Sequence, residues 1–230
     1  MDKKIKSYFA GIFVVFKLRP MTFMGAVFIS GFGIINIFIS VFTLSFYIGM
    51  TGIYSTILGI TKFCALWQYK NIQSFENKKA VKEVEYIVAK RMAITTAVLS
   101  FLQFSTAIVM TFFHEEPIQK YELVLIVYFG AYTTINLIAS MINAIRTRKN
   151  HSIIIHHIKL INFAHALIAL SITQRTVLYY VGHEWAKTVS GTGGIIFSLA
   201  AGGVCILMFF KSRRVKRYIV NDSAKTSLSL

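Results

Sequence analysis

One uncharged stretch decides the fold: residues 21–61 read MTFMGAVFISGFGIINIFISVFTLSFYIGMTGIYSTILGIT. As a single helix this stretch would be about 60 Å long at ~1.5 Å per residue, twice the ~30 Å hydrocarbon core of a bilayer. It must therefore fold back on itself. The glycines of residues 49–52 (GMTG) suit a tight turn, which predicts one membrane span over residues 22–47 and a second over residues 52–67.

Four later runs also have the length of a membrane span. They cover residues 92–113, 123–145, 152–174 and 188–210. The composition agrees, because 55% of the residues are apolar and 15% are charged, against roughly a quarter charged in soluble proteins. The sequence predicts an all-α, polytopic integral membrane protein, with a bundle of six transmembrane helices over residues 20–211.

The basic residues lie mainly between the predicted spans. The formal net charge is +16, and all but three of the 25 lysines and arginines fall in segments assigned to one side of the membrane. The three exceptions are Lys120, Arg175 and Lys187. The positive-inside rule then predicts that both termini are cytoplasmic, in a multi-pass protein of the cell membrane. It also explains the charge without nucleic acid, for which the sequence carries no binding motif.

Two segments flank the predicted bundle. Residues 1–19 carry apolar side chains at helical spacing beside lysines, which predicts an amphipathic helix on the cytoplasmic surface. Packing of this helix inside the bundle is the alternative. Residues 212–230 are predicted to form a basic cytoplasmic tail, which serves either to bind anionic lipids or simply to anchor the topology. Its basic cluster consists of Arg213, Arg214, Lys216 and Arg217.

Signatures of enzyme chemistry are absent from the sequence. It contains no HExxH, GxSxG or Walker motif. The predicted spans hold no Asp or Glu, which disfavours an intramembrane aspartyl protease and a carboxylate-driven proton pump. Cys64 and Cys205 have neither metal-binding nor redox spacing. We therefore expect no enzymatic activity, no cofactor and no metal site.

Polar side chains at membrane depth are the candidates for function, because they are costly there. Asn162 and His165 lie three residues apart on one face of span five, and Lys159 extends that face toward the cytoplasm. Gln103 and Asn136 add amides in spans three and four. Such groups can line a transport pathway. The alternative is interhelical hydrogen bonding, worth about 0.6 kcal/mol for each bond.

Span six carries small residues at every fourth position, namely Gly194, Ser198 and Gly202. Such a stripe lets a second helix approach closely. The predicted use is helix packing, either within the chain or against another membrane protein, a homodimer included.

Two stretches carry a resemblance to known proteins. They read AYTTINLIASMINAIRTRKNHSIIIHHIKLINFAHALIALSITQ (residues 131–174) and GTGGIIFSLAAGGVC (residues 191–205). Both resemble a group of uncharacterised six-span membrane proteins from Firmicutes-type bacteria. This resemblance implies the six-span architecture and a bacterial source, and it implies no activity.

The layout is also similar to the membrane domain of cation diffusion facilitators, with six spans, cytoplasmic termini and a basic loop that ends in a serine, here Ser152. The implied ligand positions are Tyr54 and Leu58 in span two with Ile161 and His165 in span five, or Asn162 and Ala166 for the second pair. Of these side chains, at most His165 keeps the ligand character of the family, and no counterpart of the family's cytoplasmic domain follows span six. The resemblance therefore implies a shared fold without the family's metal site.

Two classes of function follow from these observations. The first is a small secondary permease or channel for an ion or small solute, with Asn162 and His165 near the pathway. The second is a non-transporting membrane protein (an accessory, sensor or immunity factor) that acts through helix–helix contacts. The polar face of span five favours the first class, whereas the absent carboxylates and the small-residue stripe favour the second.

Overall fold

The computed structural model describes residues 20–72, 78–112, 123–146, 152–181 and 185–227, and these residues form six α-helices. The helices are α1 (Pro20–Thr43), α2 (Phe46–Ile72), α3 (Lys78–Phe112), α4 (Leu123–Arg146), α5 (Ile153–Val181) and α6 (Ala186–Ser227). The predicted amphipathic helix of residues 1–19 lies outside the described residues.

Five of the six helices are long and apolar enough to cross a membrane, namely α1, α3, α4, α5 and α6. The predicted all-helical, multi-pass membrane architecture is confirmed at this level. Helix α2 is less apolar because its buried face carries polar side chains, including Thr51, Ser55 and Lys62. In a helix surrounded by other helices, such groups can face protein instead of lipid.

The turn between the first two helices lies at Leu44 and Ser45, and not at residues 49–52 as the sequence suggested. Leu44 takes up the turn with a φ of 50°. Ser45 begins the next helix, because its carbonyl accepts from Gly49 N at 3.2 Å and its hydroxyl from Ile48 N at 3.5 Å. A serine at this N-cap position stabilises a helix start.

The glycines predicted to form the turn serve helix packing instead. A Cβ on Gly52 would lie 2.8 Å from the Gly33 carbonyl oxygen and 2.8 Å from Ile37 N. Farther along the same contact, a Cβ on Gly59 would lie 2.8 Å from Ser30 N. The backbones of α1 and α2 thus touch directly, which only residues without a side chain permit.

Helix α5 lies at the centre of the bundle and packs against α2, α3, α4 and α6. Its isoleucines form much of one apolar core cluster with side chains of α2, α3 and α6. A second cluster lies nearer the other end of the bundle and contains Phe32, Tyr47, Phe129 and Ile172. Helices α2 and α5 run antiparallel between these clusters, and most polar contacts described below lie on their facing sides.

Helices α3 and α6 contain 35 and 42 residues, which makes them about 52 and 63 Å long at ~1.5 Å per residue. Both exceed the ~30 Å apolar core of a bilayer. The basic segment predicted as a separate tail is a continuation of α6 as far as Ser227. It is docked at its start, because the buried Ser212 hydroxyl lies 3.1 Å from His157 Nε2 on α5.

Candidate functional site

A buried histidine lies where three helices meet. His165 on α5 is fully buried, with Nε2 2.8 Å from Tyr132 Oη on α4 and Nδ1 3.5 Å from Ser55 Oγ on α2. The Ser55 hydroxyl donates its proton to the Thr51 carbonyl at 2.8 Å. Ser55 Oγ must therefore accept from His165 Nδ1–H, and Nε2 of the neutral ring accepts from the Tyr132 hydroxyl. The contacts thus select one tautomer.

Aromatic rings enclose the same imidazole. The Tyr54 ring is nearly parallel to it, with centroids 6.4 Å apart, and the Phe32 ring meets it edge-on at 5.9 Å. Phe32 also stacks on Tyr132 with centroids 3.4 Å apart. Rings from α1, α2 and α4 therefore hold His165 in position, and within the described part of the chain the polar atoms of the imidazole contact the Tyr132 and Ser55 hydroxyls.

Polar contacts continue from His165 along the inner face of α2. The Thr51 hydroxyl donates to the Tyr47 carbonyl at 2.9 Å and accepts from Gln103 Nε2 of α3 at 3.0 Å. One turn farther, Tyr47 Oη and the Ser171 hydroxyl of α5 lie 2.5 Å apart. These groups are all buried. We call this row, which runs from His165 through Ser55 and Thr51 to Tyr47 and Ser171, the polar line.

A buried arginine stands at one end of the polar line. Arg175 of α5 is 4% exposed, and its guanidinium lies 4.9 Å from the ring centroids of both Tyr47 and Tyr179. Its Nη2 donates to Tyr179 Oη at 3.4 Å. Two electron-rich ring faces and a hydroxyl thus stabilise this cation. The sequence had placed Arg175 in a loop, whereas the structure places it inside α5.

A buried lysine stands beyond the other end of the polar line. Lys62 is 0% exposed, two turns past Ser55 on the same face of α2. Its Nζ would lie 3.5 Å from a Cβ on Gly25 of α1, so the ammonium is directed at the α1 backbone. Within the described ranges, Nζ has no hydrogen-bond partner, and no Asp or Glu is buried. The sequence reasoning missed this residue although it lies inside the predicted second span.

The predicted pathway residues separate into two groups. His165 belongs to the polar line, and Gln103 donates a hydrogen bond to Thr51 of that line. Asn136 donates to the Tyr132 carbonyl of its own helix at 3.0 Å, one turn from the His165 contact. Asn162 and Lys159 are half-buried on α5. The Asn162 Oδ1 atom is buried without a hydrogen-bond partner among the described residues.

The small residues of α6 have two different environments. A Cβ on Gly194 would lie 3.3 Å from Tyr47 Oη, so this glycine makes room for the polar line. Ser198 and Gly202 instead line a cavity of about 280 Å³ between α3 and α6. A Cβ on Gly202 would meet nothing within 4 Å. Farther along α6, the basic cluster is exposed and consists of Arg213, Arg214, Lys216 and Arg217.

The structure also brings together the positions that the resemblance to cation diffusion facilitators implied. Tyr54 of α2 lies against His165 of α5, and Leu58 and Ile161 belong to the same buried cluster. The donor atoms for a metal are lacking, since no group of three His, Cys, Asp or Glu side chains comes together in the described part of the chain. An imidazole among hydroxyls and a buried ammonium is suited to hydrogen bonding and to anions.

Neither a protein-family model nor a curated protein sequence matches this chain.

Proposed function

We propose that the protein is a small permease or channel of the cell membrane, with six membrane crossings and cytoplasmic termini, and that its cargo is a small anion. The observation that carries this proposal is Lys62, whose amino group is fully buried without a hydrogen-bond partner among the described residues. Ionisable groups at membrane depth are expensive and commonly mark an ion or substrate pathway.

The sixth crossing is α2. This helix has 27 residues, about 40 Å at ~1.5 Å per residue, which exceeds the thickness of the apolar core. Its side chains Thr51, Ser55 and Lys62 are buried in the bundle, and a helix with a buried polar face can cross a membrane when its neighbours cover that face. With α2 counted, the loops richest in lysine and arginine fall on one side, which favours cytoplasmic termini.

The sign of the buried charge favours an anion. Lys62 and Arg175 are both buried, and the described residues bury no carboxylate against them. The ring of Tyr47 lies against the Arg175 guanidinium. Along α2, Tyr47 is about 22 Å from Lys62 at ~1.5 Å per residue. Hydroxyl and imidazole groups lie between the two cations, and a passing anion would compete with the acceptors to which they now donate. A pathway lined in this way attracts anions and repels cations.

Unsatisfied amides support a polar pathway as well. Asn36 of α1 is 0% exposed, and in the described structure neither of its side-chain polar atoms has a hydrogen-bond partner. It lies one helical turn from Phe32, which contacts His165. A buried amide without partners costs several kcal/mol in an apolar environment. Water or cargo near the polar line would satisfy it.

The test is anion flux into liposomes reconstituted with the purified protein. Chloride, nitrate, phosphate and acetate are supplied outside, with an anion- or pH-sensitive dye inside. We expect flux above empty liposomes for at least one anion and a loss of at least tenfold in Lys62→Met, while Lys62→Arg retains part of the activity. The matched control is Lys70→Met, which removes a half-buried lysine of the same helix that lies over the Trp67 ring.

Three results would overturn this proposal. One is a flat response to all four anions from protein that is folded and correctly inserted. Another is flux that is equal in Lys62→Met and Lys70→Met. Selective flux of cations instead of anions would also contradict the assignment of the cargo.

A non-transporting accessory protein that acts through helix–helix contacts is the second candidate function. Gly203 favours it, because it is exposed on α6 and a Cβ there would meet nothing within 4 Å. That surface is available to another helix. Co-purification of a stable membrane partner that is lost in Gly203→Leu, with no anion flux, would establish this alternative.

A further inference from the structure

An apolar crevice runs along the surface between α3 and α6. Its cavity volume is about 280 Å³, and its walls include Phe101 and Phe104 of α3 with Leu199, Ile206 and Phe209 of α6. Phe101, Leu199 and Ile206 are exposed, so the crevice opens outward from the bundle. In a membrane protein, such an opening faces the lipid.

The length of the crevice matches one leaflet of a bilayer. On α6 it extends from Ser198 to Phe209, about 17 Å at ~1.5 Å per residue. Half of the ~30 Å hydrocarbon core is about 15 Å. An acyl chain that lies along the crevice therefore stays at the depth it has in the surrounding lipid.

Basic side chains stand at one mouth of the crevice. Arg213 and Lys216 follow Phe209 by one and two turns on the same face of α6, and both are exposed. On α3, the exposed Lys90 precedes Ala97 of the crevice wall by two turns. The Ser100–Cys205 contact of 3.8 Å sets the antiparallel register of the two helices, and this register places Lys90 level with the segment around Lys216.

The charge at this mouth argues against a second copy of the chain. Two copies packed through this face about an axis normal to the membrane would bring Lys90, Arg213 and Lys216 near the same residues of the partner, and like charges repel. A phosphate between these cations is attracted instead.

We propose that the crevice is a binding site for one anionic phospholipid, with an acyl chain between α3 and α6 and the phosphate held by Lys90, Arg213 and Lys216. This site is independent of the proposed anion pathway. It uses Arg213 and Lys216 of the basic cluster of α6 and the open part of the small-residue stripe of α6, which the polar line leaves unused. The occupant belongs to the leaflet that borders the basic ends of the two helices.

The test measures retained lipid by native mass spectrometry on the purified full-length protein after delipidation. Phosphatidylglycerol is titrated against phosphatidylcholine of the same acyl chains, and glycerol phosphate serves as a probe for the headgroup alone. We expect one phosphatidylglycerol to bind ahead of phosphatidylcholine, and no retention of glycerol phosphate, because the acyl chain contributes most of the buried apolar area.

Two pairs of variants test where the lipid binds. Gly202→Leu fills the crevice and should abolish the selective binding of phosphatidylglycerol, whereas Gly203→Leu adds the same side chain to a neighbouring glycine that is equally open but does not line the cavity. Arg213→Gln should weaken binding about fivefold, as expected for one basic side chain near a phosphate. Arg214→Gln removes an equal charge about 100° around the helix and should have little effect.

Equal retention of the two lipids by the wild-type protein would overturn the proposal, as would equal binding within either pair of variants. Retention of glycerol phosphate alone would show an anion site without an acyl-chain site. A dimer that is lost in Gly202→Leu, without lipid selectivity, would assign the crevice to a second copy. The arginine pair is exposed, so it tests the headgroup contact even if Gly202→Leu fails to fold.

Discussion

Lys62 and Arg175 are both basic side chains buried in the same bundle, yet Arg175 has aromatic and hydroxyl contacts that Lys62 lacks. Arg175 lies between the rings of Tyr47 and Tyr179 and donates to a phenol oxygen. Lys62 points at the α1 backbone, and among the described residues its Nζ meets no acceptor. A bundle that only needed stability would replace such an ammonium by an apolar side chain. A buried charge whose desolvation cost is not offset by contacts is therefore a better indicator of function than one that rings and hydroxyls stabilise.

The largest expected effect comes from Lys62→Met. Removal of an uncompensated buried charge should stabilise the protein by about 2–3 kcal/mol, while anion flux falls at least tenfold. Thermal unfolding in detergent and liposome flux measure the two quantities on the same preparation. A lower unfolding midpoint would mean that Lys62 is compensated by interactions not seen here, and the contrast with Arg175 would then fail.

Arg175→Leu should have the opposite effect on stability. It removes two cation–π contacts of roughly 1 kcal/mol each, so the unfolding midpoint should fall. Anion flux should fall by about threefold, because one attracting charge at the end of the polar line is lost. Arg175→Lys keeps the charge but lacks the planar guanidinium that stacks on rings. Compared with Arg175→Leu, it should therefore recover more of the anion flux than of the stability.

His165→Ala tests whether the two cations are connected through the polar line. Loss of the imidazole breaks the contacts with Tyr132 and Ser55, and we expect flux to fall about fivefold. Asn162→Ala is the matched control on the same helix, with an expected reduction below twofold. Equal losses in both variants would place the pathway along the α5 face that carries both Asn162 and His165, as the sequence pattern alone suggested.

The smallest expected effect is that of Tyr132→Phe. This substitution removes only the hydroxyl that donates to His165 Nε2, at a cost of about 0.6 kcal/mol in stability. Flux should change about twofold, because the ring that stacks on Phe32 is preserved. Tyr128→Phe on the preceding turn is the control. A larger loss than that of His165→Ala would make the phenol, and not the imidazole, the central group.

Much of the architecture could be predicted from the sequence because long uncharged runs and basic loops reflect the physics of the bilayer directly. The predicted span of residues 123–145 and the helix Leu123–Arg146 differ by one residue at one end. The turn was misplaced because glycine is equally suited to a turn and to a close helix contact. At Gly52 the choice depends on α1, which packs opposite it, and no local pattern contains that information.

The candidate site was predicted less completely. His165 and Gln103 were identified because imidazole and amide groups are conspicuous in an apolar segment. Ser55 and Tyr132 were missed, since a hydroxyl in a helix can bond to its own backbone, and the sequence does not show which hydroxyls also reach a neighbouring helix. Lys62 follows the uncharged stretch directly and was counted with the basic residues assigned to one side of the membrane. The spacing of Thr51, Ser55 and Lys62 on one helix face was the available signal.

The backbone contact between α1 and α2 has a mechanical consequence. Gly33, Gly52 and Gly59 let the two backbones touch along their length, and a two-residue turn joins the helices. At these glycines no side chain of their own separates the two backbones, so one helix cannot slide past the other there without a clash. We therefore expect the α1–α2 pair to move as one unit. Where the α1–α2 pair meets α4 and α5, aromatic rings and hydroxyl groups make the contacts around His165. We therefore expect any motion that opens a route past His165 to take place at the interface of the α1–α2 pair with α4 and α5.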